Sequence, residues 1–239
     1  MPRKPSFRDR AFVVRTYDFG EADRVVVLLT RTHGLVRAVA KGVRKSRSRF
    51  GSRIQPFVDI DVQLYPGRNL ATITQADTVA YFGAGIIDDY DRYTAACAIM
   101  ETAEKLSYSD LADAVLFDAT SDALTRLQGN DHPTLVLDAF ILRATENSGW
   151  GLSLFECANC GAPGPHAAFS PSLGGAVCTT CRPPGAMDVD PEVLHTMWLI
   201  QNGRATTAEH AERVHRATTA HLQWHVESAV RSLKIMEQA

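Results

Sequence analysis

Val58-Asp-Ile-Asp-Val-Gln-Leu-Tyr65 sets Val58, Ile60, Val62 and Leu64 in alternation with Asp59, Asp61 and Gln63. Successive side chains of a strand point to opposite faces, so this octet has one apolar face for a core and one polar face for solvent. Behind it Pro66-Gly-Arg-Asn69 turns the chain into a second apolar run, Leu70–Ala76. Toward the N-terminus, apolar runs at Ala11–Val14, Val25–Leu29 and Leu35–Ala40 are divided by Asp18-Phe-Gly-Glu21 and by Thr32-His-Gly34.

Five short strands, with one long connection between the third and the fourth, predict a small closed or partly open barrel of the OB type. That architecture removes exposed strand edges and binds oligonucleotides on one face. An SH3-like barrel fits the strand count nearly as well.

The long connection belongs to the most basic part of the chain. Arg24 to Val58 contains nine Lys or Arg and no Asp or Glu, and it culminates in Lys41-Gly-Val-Arg-Lys-Ser-Arg-Ser-Arg-Phe-Gly-Ser-Arg53. The overall net charge of -2 hides this asymmetry: residues 1–80 carry 15 Lys/Arg against 7 Asp/Glu, and residues 81–239 carry 10 against 20. A basic lobe followed by an acidic one points to a nucleic-acid face and a separate surface for other work. The candidate DNA contacts are Arg24, Arg37, Lys41, Arg44, Lys45, Arg47, Arg49, Arg53 and Arg68. Phe50, Phe57 and Tyr65 lie near enough in sequence to stack on bases, with the barrel core as their alternative use. The stretch reads as two barrel strands plus a flexible basic loop; a solvated loop without a ligand is the competing reading.

From Asp88 the period becomes helical. Tyr90, Tyr93, Cys97 and Met100 share one stripe behind two acids; a second helix starts at Ser109-Asp110 and runs to Gln128. A third has Asp131 as its cap, Pro133 in its first turn and Asn147-Ser-Gly149 as its stop. After a Gly/Pro-rich span, helices are expected from Asp190-Pro-Glu192 to Asn202-Gly203 and from Thr206-Thr207 through Val226 and Leu233. The fold class is α+β: a barrel domain over 1–82 and a helical domain over 83–239 with an insertion at 157–181.

Cys157-Ala-Asn-Cys160 and Cys178-Thr-Thr-Cys181 form C-x2-C-x17-C-x2-C, the spacing of a four-thiolate zinc site. Each pair lets a tight turn aim two sulfurs at one ion, and Gly161 lets the chain leave the knuckle. Four thiolates fill a tetrahedral sphere, so one zinc here is expected to be structural. His166 lies within the loop and could replace a cysteine.

Other features imply less. His221 and His225 stand at i,i+4, and a partly exposed helix face is the plainer reading than a metal pair. Cys97 reads as a buried small hydrophobe, and Asp59 and Asp61 as the solvent face of their strand. No phosphate-binding glycine loop occurs, and no nucleophile–base pair is identifiable. No run of about 18 apolar residues is present. The N-terminal Met-Pro-Arg-Lys is not followed by an apolar h-region, so no secretory signal is expected and the protein is read as cytoplasmic. Two other functions fit the same elements: a nuclease or glycosylase with an auxiliary zinc finger, and a zinc-ribbon transcription adaptor.

Tyr17-Asp-Phe-Gly-Glu-Ala-Asp-Arg24, Thr32-His-Gly-Leu35 and Ala40-Lys-Gly-Val-Arg44 with Ser48 closely resemble the N-terminal OB domain of the bacterial DNA repair family RecO. Phe140-Ile-Leu-Arg143, Gly149-Trp150, Cys157-Ala-Asn-Cys-Gly161, Phe169-Ser170, Gly174-Gly175, Cys178-Thr-Thr-Cys181 and Arg231-Ser-Leu233 resemble the helical domain of its zinc-containing members. The resemblance implies a recombination mediator without enzymatic turnover, nucleoid-associated. Such a protein binds single- and double-stranded DNA, anneals complementary strands, binds RecR and helps load RecA on DNA coated by the single-stranded DNA-binding protein. It also implies contact between the helical domain and that protein's acidic C-terminal tail. Arg143, at the family's Phe-x-x-Arg position, could meet a carboxylate there; the alternative is a salt bridge within the bundle.

Overall fold

The computed structural model describes residues 5–46, 48, 50–129, 131–226 and 230–236. Its N-terminal part is a closed barrel of β1 (Phe7–Phe19), β2 (Asp23–Thr30), β3 (Gly34–Ala40), β4 (Val58–Tyr65) and β5 (Ala71–Tyr81), in spatial order β1-β2-β3-β5-β4. All pairs are antiparallel except β3–β5, where Ala38 faces Ala71 and Val39 faces Thr72. This order is that of the OB-type barrel and decides between the two barrels the strand count allowed.

The core is built by the alternation seen in sequence. Val58, Ile60, Val62 and Leu64 point inward with Ala11, Val13, Val26, Leu28, Ala38, Ala40 and Ile73. β1 and β5 extend well beyond their apolar runs. β1 reaches from Phe7 to Phe19 because its first half pairs with β4 and its second with β2, with a register shift between Val13 and Arg15. Such a bulge bends one strand across two partners, and charged residues on its outer side hide the outer parts from a hydrophobicity reading.

Gly34 has a backbone conformation that L side chains rarely adopt, with φ at +66°, and a Cβ there would lie 2.3 Å from the carbonyl oxygen of Tyr108. The close approach lets Leu35 N–H donate to that carbonyl at 3.0 Å.

By packing, the chain divides into two compact units, Met1–Tyr90 with Ala103–Gln128, and Asp91–Thr102 with Gly129–Ala239. In the first, α2 (Ala114–Gln128) lies on the barrel, where Phe117 meets Phe12 with ring centroids 4.8 Å apart. Helix α2 starts later than the Ser109-Asp110 expectation. Asp110 has φ of 62°, and it is the Asp113 carboxylate that accepts the N–H of Leu116 and caps the helix.

The second unit takes part of α1 (Tyr90–Leu106) and is otherwise built from α3 (Pro133–Asn147), α4 (Pro191–Gln201) and α5 (Ala211–His225). Leu142, Phe169, Val193, Met197 and Val214 form its core. His132, not Asp131, stands at the α3 N-cap, directly before Pro133 at the first helical position. The single C-terminal helix expected from Thr206 is divided. α5 ends at His225 because Val226 is extended, and α6 (Arg231–Met236) begins where the backbone N–H groups of Arg231 and Ser232 donate to the Glu101 carboxylate at 2.8 and 2.9 Å. Anion capping of a free helix N-terminus accounts for the restart. The inserted span and the residues just after it form a small sheet that the sequence did not announce, β7-β6-β8, from β6 (Ala168–Ser170), β7 (Gly175–Ala176) and β8 (Met187–Asp188). Among the described residues no helix is long and apolar enough to cross a membrane.

Candidate nucleic-acid interface and metal centre

The β3–β4 connection is pinned at both ends. At its start Gly42 N–H donates to the Asp23 carboxylate at 2.7 Å, and Arg44 N–H donates to the Ala22 carbonyl at 2.9 Å, so the loop is tied to the β1–β2 turn. Lys45 N–H closes the turn on the Gly42 carbonyl. At its far end Phe50 and Ile54, each 1% exposed, enter the barrel core on either side of the Gly51–Arg53 turn of 3-10 helix. Buried apolar anchors and backbone hydrogen bonds thus tie both ends of the connection to the barrel. Arg47 and Arg49 lie outside the described residues.

The register of β2 with β3 places Arg24 opposite Ala40, the residue from which Lys41 follows, and Val27 opposite Arg37. Arg24 and Arg44 converge on one carboxylate, that of Asp18, at 3.1 and 3.4 Å. Arg37, Lys41, Lys45, Arg53 and Arg68 are exposed, Arg68 in the β4–β5 turn. Among the described residues Arg37, Lys41, Lys45 and Arg68 make no ion pair.

The aromatic expectation changes. Phe50 and Phe57 are buried, Phe57 at a φ of 62°, and belong to the interior; Tyr65 remains exposed. The exposed rings near the basic loop are Tyr17 and Phe19, 45% and 50% exposed, with the Arg15 guanidinium 5.5 Å from the Tyr17 ring centroid. Their i,i+2 spacing before Gly20 was the signal: on a strand it puts both on one face.

Asp59 is not on a solvent face. It lies outward from the barrel, as alternation requires, but its side chain is 0% exposed and receives two hydrogen bonds from Arg10, while Asp61 pairs with Arg8. Opposite Asp59 stands Phe12, which packs on Phe117 of α2, and Arg10 lies over the same Phe117 ring. Burial holds the Asp59 carboxyl above its ordinary range although Arg10 pulls it down.

In the second unit the four cysteine sulfurs lie within 4.8 Å of one another, and no disulfide joins them. Tetrahedral thiolates about 2.3 Å from an ion stand about 3.8 Å apart, and Cys160 and Cys178 are separated by 3.9 Å. The donor set therefore fits a metal ion. Two tight turns aim it: Gly161, with φ of 72°, donates to the Cys157 carbonyl at 2.8 Å, and Cys181 N–H donates to the Cys178 carbonyl. Backbone N–H groups also point at sulfur, from Cys178 to Cys157 at 3.4 Å. That bond, with one from Cys160, lowers the Cys157 thiol to about 6. Cys160 is lowered by the Ala162 N–H but pushed up to about 11 overall by its thiol neighbours Cys181 and Cys157. His166 bonds the Ala162 carbonyl through Nε2 at 3.0 Å and is not among the clustered ligands. β6 and β7 frame the knuckle, with Ala158 N–H donating to the Ala176 carbonyl.

His221, expected on a partly exposed face, is buried and bonds the Trp150 carbonyl through Nε2, and His225 stacks on the Trp150 ring at 4.6 Å. Burial lowers both imidazoles. Cys97 is only partly buried, and burial raises its thiol while a hydrogen bond with Tyr93 opposes. Arg143 is exposed on α3 and has no ion-pair partner among the described residues, so the intra-bundle salt bridge is absent there.

Two family models match this chain, one described as Recombination protein O N terminal over residues 3–82 and one as Recombination protein O C terminal over residues 87–234. With a closed OB-type barrel, a helical part and a clustered cysteine quartet arranged in that order, the chain belongs to the RecO family, in its four-cysteine form.

Proposed function

We propose that this protein is a recombination mediator that works by binding and annealing DNA, with no covalent chemistry of its own. Its family supports a general role in DNA repair and recombination. The observation that carries the finer reading is the basic loop held against the barrel beside exposed Tyr17 and Phe19. A strand whose phosphates are covered by Arg and Lys repels its complement less, so encounter between complements becomes easier. Arg24, Arg37, Lys41, Arg44, Lys45, Arg47, Arg49, Arg53 and Arg68 are the proposed contacts with single- and double-stranded DNA.

The division of labour we propose gives residues 1–82 to nucleic acid and residues 83–239 to partners. Those partners are RecR and the acidic tail of the single-stranded DNA-binding protein, and through them RecA loading at the nucleoid in the cytoplasm. Arg143, exposed and without an ion-pair partner among the described residues, is available to a tail carboxylate. One structural Zn2+ on Cys157, Cys160, Cys178 and Cys181 fills its sphere with sulfur and pins the knuckle to the helices.

The test is strand annealing together with the salt dependence of binding. With about six phosphate contacts, the log–log slope for a single strand is expected near -4. Replacing Lys41, Arg44, Lys45, Arg47 and Arg49 with Ala should flatten that slope, slow annealing at low salt and leave the thermal transition nearly unchanged. An unaltered slope removes the loop from the site. Failure of the unmodified protein to speed annealing, or DNA cleavage with Mg2+ that tracks the protein through mutation, overturns the mediator reading.

A further inference from the structure

Arg24 is in β2 and Arg44 in the loop after β3, yet both guanidinium groups reach the same carboxylate. Asp18 Oδ1 accepts from Arg24 Nε at 3.1 Å, and Asp18 Oδ2 lies 3.4 Å from a terminal nitrogen of Arg44. The convergence is imposed by backbone. The β1–β2 register sets Asp18 opposite Arg24, and the Arg44 N–H bond to Ala22 with the Gly42 N–H bond to Asp23 bring the loop to the same turn. The Asp18 side chain is 56% exposed, so solvent and ligands reach the pair.

A carboxylate between two arginines has the charge sign and acceptor oxygens of a phosphodiester, the group that guanidinium forks bind best. We infer that Arg24 and Arg44 form a phosphate subsite for a nucleic-acid strand, and that Asp18 occupies it in the free protein as an internal competitor. The inference rests on the DNA-binding reading above and adds a residue of the wrong charge to it.

Three consequences separate this arrangement from a merely structural ion pair. A phosphate entering the subsite releases Asp18, so part of the attraction of two arginines is offset before DNA arrives. The released carboxylate recruits a cation from solution, which partly cancels the counterions that the DNA gives up. Binding is therefore weaker and less salt-sensitive than the basic residues alone would make it. A strand held with one phosphate against a resident competitor also leaves readily, which suits a protein that passes DNA on.

The experiment uses the full chain and a fluorescently labelled oligo-dT longer than ~16 nucleotides, the upper end of an OB fold's site size. Affinity is read by anisotropy across a salt series for the wild type, Asp18→Asn, Arg24→Ala/Arg44→Ala and the triple variant, with Glu21→Gln as a control. Glu21 is an exposed acid in the same turn without an ion pair among the described residues, so it reports the effect of net charge alone. Circular dichroism melts confirm that each variant is folded.

Asp18→Asn is expected to bind about three- to tenfold tighter, the range set by freeing two exposed ion pairs. Its salt slope should steepen by up to about 1. The gain should vanish in the Arg24→Ala/Arg44→Ala background and be absent from Glu21→Gln. An Asp18→Asn protein that binds no tighter than wild type, while the double arginine variant binds more weakly, overturns the competitor and leaves the DNA reading standing. So does a gain that persists without the arginines or is matched by Glu21→Gln. Wild-type affinity in all variants, including the double arginine one, removes this corner of the barrel from the DNA site and overturns the inference together with that part of the reading.

Discussion

Arg10→Ala should destabilise the barrel by an amount that grows as pH rises. The Asp59 side chain is 0% exposed and is held by two hydrogen bonds from Arg10, which is itself 42% exposed. Burial already places the Asp59 carboxyl above 3.8, with Arg10 as the chief opposing influence. Without Arg10 only the upward push of burial, and a further one from Asp61, would remain.

An uncompensated buried charge costs about 3–5 kcal/mol. The exposure of Arg10 favours the lower end, so a loss of about 3 kcal/mol is expected near neutral pH. The sign follows from proton counting. In the window between the unfolded pKa and the raised folded one, the native state keeps a proton that the unfolded chain has released. Stability then falls as pH rises through that window, by up to about 1.4 kcal/mol per pH unit, and is recovered toward about pH 4. Asp59→Asn is the converse variant. It removes the titrating group, leaves Arg10 free to turn into solvent and should cost only about 1–2 kcal/mol.

The assay is urea unfolding of the full chain at several pH values. All three tryptophans, Trp150, Trp198 and Trp224, lie in the second unit, so their fluorescence is an internal control and the β-sheet circular dichroism reports the barrel. An Arg10→Ala loss that is the same at every pH would refute the reasoning. So would Asp59→Asn costing as much as Arg10→Ala.

The metal centre and the α2 packing yield two shorter tests. Cys157→Ser should lose a bound metal that elemental analysis finds in wild type at one per chain, and should shift the tryptophan-reported transition more than the barrel's; absence of stoichiometric metal in native protein ends the zinc assignment. Phe117→Ala should lower the barrel transition by about 3–5 kcal/mol, because its ring packs on Phe12 of β1, and a loss confined to the tryptophan signal would place α2 with the other unit.

Much of the architecture was legible because it is local. The alternation of Val58, Ile60, Val62 and Leu64 specifies a strand with one buried face, and these four do form the barrel core. Each cysteine pair is equally local: a C-x2-C turn aims its two sulfurs together, with Gly161 closing the first. What failed were inferences about the far side of an element. Asp59 has the spacing of a solvent-facing residue and becomes buried only because α2, more than fifty residues later, covers that face of the barrel. His221 looks like a surface histidine until Trp150 packs beside it, and the continuous helical pattern through Val226 does not reveal that Glu101 caps a new helix at Arg231.

Charge behaves in the same way. The number of Lys and Arg between Arg24 and Val58, and their freedom from acids in the same stretch, can be read directly from the sequence. Which acid meets them cannot, since Asp18 is remote from Arg44 along the chain and approaches it only through the β1–β2 register and the docking of the loop. Composition and short-range periodicity thus determined a five-stranded barrel, a helical part, a metal knuckle and a basic loop, and the strand order made the barrel one of the OB type. The tertiary structure alone decided which charges are buried, which are paired and which remain free, because those depend on contacts whose sequence separation no local pattern encodes.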